Sequence, residues 1–136
     1  MISSYNSTTE TVAVGAAYDF DTNRIVPGCT VGHVPGTSVF TLTKPGYYYV
    51  TFNTTFTTTA AGDVSVELQN GGVAVPGATG SVTITTVGDT ASIAFTSIIK
   101  VLPSCSVIDN TASLTFVVGG TEVTASTASV NITKLC

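Results

Sequence analysis

The chain has no tryptophan, a single histidine (His33), a single methionine and only four basic residues, Arg24, Lys44, Lys100 and Lys134, in 136 positions. Charged residues of both signs make up 9%, against about 25% in an average soluble domain. Each scarcity excludes something. One imidazole with no carboxylate or nucleophile near it in sequence leaves general acid–base and covalent catalysis without actors. The chain therefore reads as no enzyme, with no catalytic residue and no cofactor. Four scattered cations and a net charge of −4 give no basic patch for a phosphate backbone, which argues against nucleic acid. The longest apolar run, Ile98–Leu102, is interrupted by Lys100 and falls far short of the roughly 20 residues of a membrane span. Met1–Thr11 is polar, without the basic and apolar segments of an export signal. No apolar period of 3.6 residues runs long enough for a helix.

The three cysteines, Cys29, Cys105 and Cys136, have no metal-ligand spacing. Reduced thiols, a Cys29–Cys105 bridge and an interchain link through Cys136 all stay open. Asp19 and Asp21, two apart, are the best carboxylate pair for Ca²⁺. Without a denser acidic cluster they read as a solvated loop, and no metal site is assigned. Asn6, Asn53 and Asn131 open glycosylation sequons of the kind that arise by chance in so Thr-rich a chain.

What is present is threonine, 26 residues of it, within 43% hydrophobic residues. β-Branched side chains fit pleated surfaces, and hydroxyls keep a surface wet without charge. Strands are expected near Val12–Ala17, Val39–Leu42, Tyr47–Phe56, Val64–Gln69, Val73–Val75, Ser81–Val87, Ser92–Val101, Ser113–Val118 and Ser129–Leu135, with short additions around Ile25–Val26 and Ser106–Ile108. Asn70-Gly71-Gly72 is a hairpin turn by its chemistry, and Gly88-Asp89 and Gly119-Gly120 read as two more. Asp19–Pro35 reads as an irregular surface loop. A single all-β domain over 11–136 follows, preceded by a polar N-terminal arm, 1–10. A domain of this length buries roughly 68% of its unfolded surface.

The most telling stretch runs from Phe40 to Asn53. A short strand meets Lys44-Pro45-Gly46 and leaves as a long aromatic strand. Tyr48, Val50, Phe52 and Phe56 alternate onto one face, while Tyr47 and Tyr49 occupy the other. Ser92–Val101 is also apolar on both faces. Tyr48, Val50, Phe52, Val66, Leu68, Phe95, Phe116, Val130 and Ile132 are the expected intersheet core. Tyr47, Tyr49, Ala94 and Ile98 are the expected contacts with other copies of the chain, because tyrosine is enriched at interfaces. A sugar-stacking platform is the other reading of Tyr47 and Tyr49.

The pattern Phe-Thr-x-x-x-Pro-Gly-x-Tyr-Tyr-x-x-Phe, together with Val64–Gly77 and Ala128–Leu135, resembles the C1q/TNF-like jelly-roll family over about half the chain. The resemblance implies a double-sheet antiparallel jelly-roll sandwich assembled as a compact homotrimer. It also implies chain ends that meet at the base of the trimer. An immunoglobulin-like sandwich is disfavoured by the lack of tryptophan. The function expected is structural or adhesive: a trimeric head displayed on a bacteriophage virion, of the capsid-decorating head-fibre type. The protein would be made in the bacterial host cytoplasm and held to the capsid or another particle surface by the arm, with host-surface glycan as a further partner. One alternative is the head of a collagen-like filament on a bacterial or spore surface, which predicts a Gly-X-Y segment not found here. The other is a carbohydrate-binding module using loop aromatics, for which Tyr18 and Phe20 are the candidates.

Overall fold

The computed structural model describes residues 1–25, 31–103, 105 and 111–135. Val26, Cys29, Cys136 and the expected short strand at Ser106–Ile108 lie outside the described residues, and with them every pairing considered for the cysteines. Cys105 is exposed.

Eleven strands follow one another among the described residues, and no helix. They are β1 (Ile2–Tyr5), β2 (Glu10–Val12), β3 (Thr22–Ile25), β4 (Val31–Gly32), β5 (Phe40–Leu42), β6 (Gly46–Thr58), β7 (Gly62–Asn70), β8 (Val73–Ile84), β9 (Ala91–Val101), β10 (Ala112–Gly119) and β11 (Val123–Lys134). One sheet has the order β3-β1-β11-β6-β9, with β2 pairing β11 alongside β1, and the other β4-β5-β10-β7-β8. Every pairing is antiparallel. From β5 onward only the β7–β8 hairpin stays within a sheet; the other connections cross between sheets, which is jelly-roll winding.

The core lies where the two aromatic strands face each other. Phe52 of β6 stacks on Phe116 of β10 with ring centroids 4.7 Å apart and planes 13° from parallel. Tyr48, Val50, Val66, Leu68, Val130 and Ile132 are buried with them. Phe95 packs against the same cluster but is only half-buried, because β9 is a sheet edge and the sandwich opens beside it. There β8 closes the flank, and Gly80 makes this possible. A Cβ at that position would stand 2.5 Å from Ile93 Cγ2, so only glycine lets β8 approach β9.

Several elements differ from expectation for identifiable reasons. Residues 2–5 form a strand between β11 and β3, with Ile2 and Ser4 fully buried; the first half of the expected arm at 1–10 therefore belongs to the β3-β1-β11-β6-β9 sheet. Two inward side chains in four residues were too short a signal to read. Strand β11 begins six residues before Ser129 because a bulge at Ser126-Thr127 reverses its phase. Val123 and Ala125 point inward before it, and Ala128, Val130 and Ile132 after it. Strand β8 merges two expected strands across Pro76-Gly77, where Gly77 takes φ +79° and the register with β7 shifts. The Gly71-Gly72 hairpin stands as expected, both residues having positive φ. Gly88-Asp89 and Gly119-Gly120 join strands of different sheets and are not hairpins.

Candidate functional site

His33 is held on all sides. Its ring stacks on Phe40 at 4.2 Å and 11°. Nε2 lies 2.9 Å from the Thr37 carbonyl, an obligate acceptor, so this nitrogen carries a proton and donates. Nδ1 lies 2.6 Å from Asn23 Oδ1, while Asn23 Nδ2 donates to the His33 carbonyl at 2.9 Å. The same Oδ1 accepts from the Ser4 hydroxyl at 2.6 Å. His33 is thus a clamp between β1, β3 and β4, with both ring nitrogens engaged by Asn23 and Thr37.

Tyr18 and Phe20, the loop aromatics of the carbohydrate-binding reading, are fully buried. Tyr18 meets Phe52 edge-on at 5.4 Å, and Phe20 meets Phe40 and Phe116. Backbone bridges Ala17–Val117 and Phe20–Thr37 hold the segment across the sheet end. The Tyr18 hydroxyl lies 3.2 Å from the Thr54 hydroxyl, and burial pushes its pKa up to about 12. These rings close the core and offer no surface to a sugar. Asp19–Pro35 correspondingly contains β3 and β4 rather than only loop.

The residues on either side of Phe20 are tied back to the N-terminal segment, Asp21 through its carboxylate and Asp19 through its backbone N–H. Asp21 accepts from the Ser7 N–H at 2.9 Å and the Ser7 hydroxyl at 2.8 Å, which together hold its carboxyl below the ordinary value, the N–H foremost. The Asp19 N–H donates to Glu10 Oε1 at 3.0 Å. Desolvation raises the pKa of Glu10 against these hydrogen bonds. No group of three or more potential metal ligands occurs among the described residues.

The residues assigned to contacts between copies all point out of the β3-β1-β11-β6-β9 sheet. Tyr47 is 43% exposed, Tyr49 40% and Ile98 58%, and Ala94 is exposed as well. The registers place Tyr47 opposite Lys100, Tyr49 opposite Ile98, and Asn53 opposite Ala94. Tyr47, Tyr49 and Ile98 thus form one patch at one end of the sheet, with the Lys100 ammonium 6.0 Å from the Tyr47 ring centroid. Ala94 stands apart, among hydroxyls and amides; Ser129, next along the same rung, donates to Asn53 Oδ1 at 3.0 Å. Around the sheet edge the patch continues into an open groove of about 450 Å³ lined by Val73, Val75, Pro76, Ile98 and Lys100. Sequence reasoning found the tyrosines from their alternation but missed the groove, which joins β8 of one sheet to β9 of the other. Tyr47, Tyr49, Ile98 and Val73, this exposed and this close, form the contiguous apolar surface that an isolated domain rarely leaves uncovered.

No protein-family model matches the chain, and no curated protein matches it by sequence. Solved structures match it throughout. The Eiger TNF from S. frugiperda superposes with a TM-score of 0.70 at 11% identity, over 99% of this chain and 92% of that one. Murine APRIL gives 0.65 at 8%, over 98% of both chains. The PRD1 vertex protein P5 gives 0.56 at 13%, over 99% of this chain and 96% of that one. The fold is the TNF-like jelly roll that the aromatic motif foreshadows. At such identities the likeness is one of fold.

Proposed function

We propose that the chain is a non-enzymatic structural head that works as a homotrimer, displayed on a bacteriophage virion. The observation that carries this reading is the apolar patch of Tyr47, Tyr49 and Ile98, running into the Val73–Pro76 groove at the sandwich edge. A face and an edge that are both apolar fit a head-to-tail contact, in which the edge of one copy covers the face of the next. Such heterologous contacts close into rings when the rotation permits. The fold shared with a phage vertex protein supports the virion as the setting. The low charge and hydroxyl-rich composition suit a particle exposed to the environment. A filament head on a bacterial or spore surface is the second reading, favoured by the same patch and differing in what carries the trimer.

Light scattering on the purified chain tests the assembly: three times the chain mass is expected at micromolar concentration, and Ile98→Asp should reduce it to one. A monomer mass for the unaltered chain overturns the trimer. Mass spectrometry of density-banded phage particles from the source culture tests the setting. Absence of the chain from the particles, with presence in the cell-surface fraction, transfers the reading to the filament head.

A further inference from the structure

The strand registers gather charges that are scattered in sequence. Tyr47 pairs with Lys100 and Tyr48 with Lys134, and the Tyr48 hydroxyl donates to the Lys44 carbonyl at 2.6 Å. All three lysines therefore sit at the end of the sandwich where β6 begins. Lys100 and Lys134 stand on the two strands flanking β6, with backbones about 10 Å apart at ordinary strand spacing. Lys44 and Lys100 are exposed and Lys134 half-buried. Met1 reaches the same end, since Ile2 pairs with Ile132, which pairs with Val50.

The carboxylates are gathered elsewhere. Glu10 pairs with Ala125, opposite Phe56. Asp89 and Glu122 precede Ala91 and Val123, which pair with Phe56 and Thr58. Asp63 stands beside Gly62, where β7 begins. The ties to Glu10 and Ser7 keep Asp19 and Asp21 in the same half. Glu67 lies along β7, where its Oε1 accepts from Gln69. Among the described residues no carboxylate stands at the lysine end. The reading of four cations too scattered to form a patch is thereby corrected: the fold brings three of them together.

We propose that the lysine end is a docking surface for an acidic protein surface. The assignment rests on the displayed-head reading, which requires one end to face a carrier. An acidic protein fits better than a nucleic acid or sulfated glycan for two reasons. A long polyanion would also meet the six carboxylates of the opposite half, on a chain of net charge −4. In addition, Met1 and Leu135 at the lysine end are 47% and 53% exposed, and exposed apolar side chains beside the cations suit a protein partner better than a polyanion. Assembly in threes would bring nine lysines to one end of the assembly, so weak single contacts would add through multivalency.

The test uses the full chain on immobilised poly-L-glutamate, with heparin and duplex DNA as parallel probes. Retention on polyglutamate is expected at low ionic strength, with release by about 0.15 M salt, where screening shortens to roughly 8 Å. The K44Q/K100Q/K134Q variant should pass unretained, and E10Q/D63N/D89N should be retained at least as well as the unaltered chain. Light scattering and circular dichroism establish that each variant keeps its fold and assembly. If Lys100→Gln disturbs assembly through Tyr47, K44Q/K134Q replaces the triple variant and should be retained more weakly than the unaltered chain. Passage of the unaltered chain through polyglutamate overturns the proposal, as does equal retention of the lysine variants. Lysine-dependent binding that is tighter to heparin or DNA also overturns it. If the unaltered chain proves monomeric, the displayed trimer fails, while lysine-dependent retention on polyglutamate still sustains the docking surface.

Discussion

Phe52 touches more of the aromatic core than any strand pattern reveals. It stacks on Phe116, meets Tyr18 edge-on and lies 5.3 Å from Phe95. Replacing it with alanine leaves a cavity bounded by both sheets, where the backbone cannot collapse. Phe52→Ala should cost about 3–5 kcal/mol, read from denaturant midpoints; an unchanged midpoint would mean the inward face is misassigned. Asp21 supports a pH prediction. Its carboxyl is held below its ordinary value of 3.8, chiefly by the Ser7 N–H. A depressed carboxylate contributes stability that is complete above the ordinary value and lost as pH falls through the folded one. Asp21→Asn should therefore flatten the acid limb of the stability curve and lower stability at neutral pH. Superimposable acid limbs would show that the Ser7 tie contributes nothing.

At the scale of elements, β1 is the strand that holds the sheet together beyond β11. It pairs with β11 on one side and β3 on the other, and it contributes the buried Ile2 and the Ser4 hydroxyl that joins the Asn23–His33 clamp. Removing residues 1–5 should strip β3 as well. Burial of Ile2 alone is worth roughly 1.5–3 kcal/mol, so the thermal midpoint should fall by several degrees; an unchanged midpoint would restore the separate arm. The β8–β9 contact makes the opposite test, of crowding. Gly80→Ala drives a methyl into Ile93 and should cost about 1–3 kcal/mol. Ile93→Ala removes the obstructing methyl, so the double variant should be more stable than the two single costs predict. Strict additivity would mean that β8 swings away freely.

Among the described residues the molecule is a sandwich with an apolar flank and with lysines and carboxylates gathered toward different ends. An assembly that covers the flank couples folding to association, so the thermal midpoint should rise with protein concentration. A midpoint constant over a hundredfold dilution range would show that the folded unit is the single chain. Low charge makes this coupling weakly dependent on salt, whereas docking through the lysine end should weaken steeply as salt screens it. Salt titration therefore separates the two surfaces without a mutation.

The sequence by itself determined the fold class, the aromatic core strands and the outward tyrosines. Alternation with period 2 is a local property: once Phe40–Asn53 is a strand, Tyr48, Val50 and Phe52 share one face whatever lies beyond. Where that local phase breaks, legibility ends. The bulge at Ser126-Thr127 hid the first half of β11, and the Gly77 kink divided β8 in two. Ile2–Tyr5 was too short to show a period, and its burial comes from β11, more than 120 residues away in the chain. Tyr18 and Phe20 read as loop residues because residues distant in sequence make their pockets, Phe52 and Thr54 for Tyr18 and Phe40 and Phe116 for Phe20. The convergence of Lys44, Lys100 and Lys134 is also a product of register. Pairing fixes which strand ends lie together, and pairing is chosen by the burial of the entire sheet rather than by any residue near a lysine. Tertiary structure alone decided where the charges gather and which flank is left uncovered.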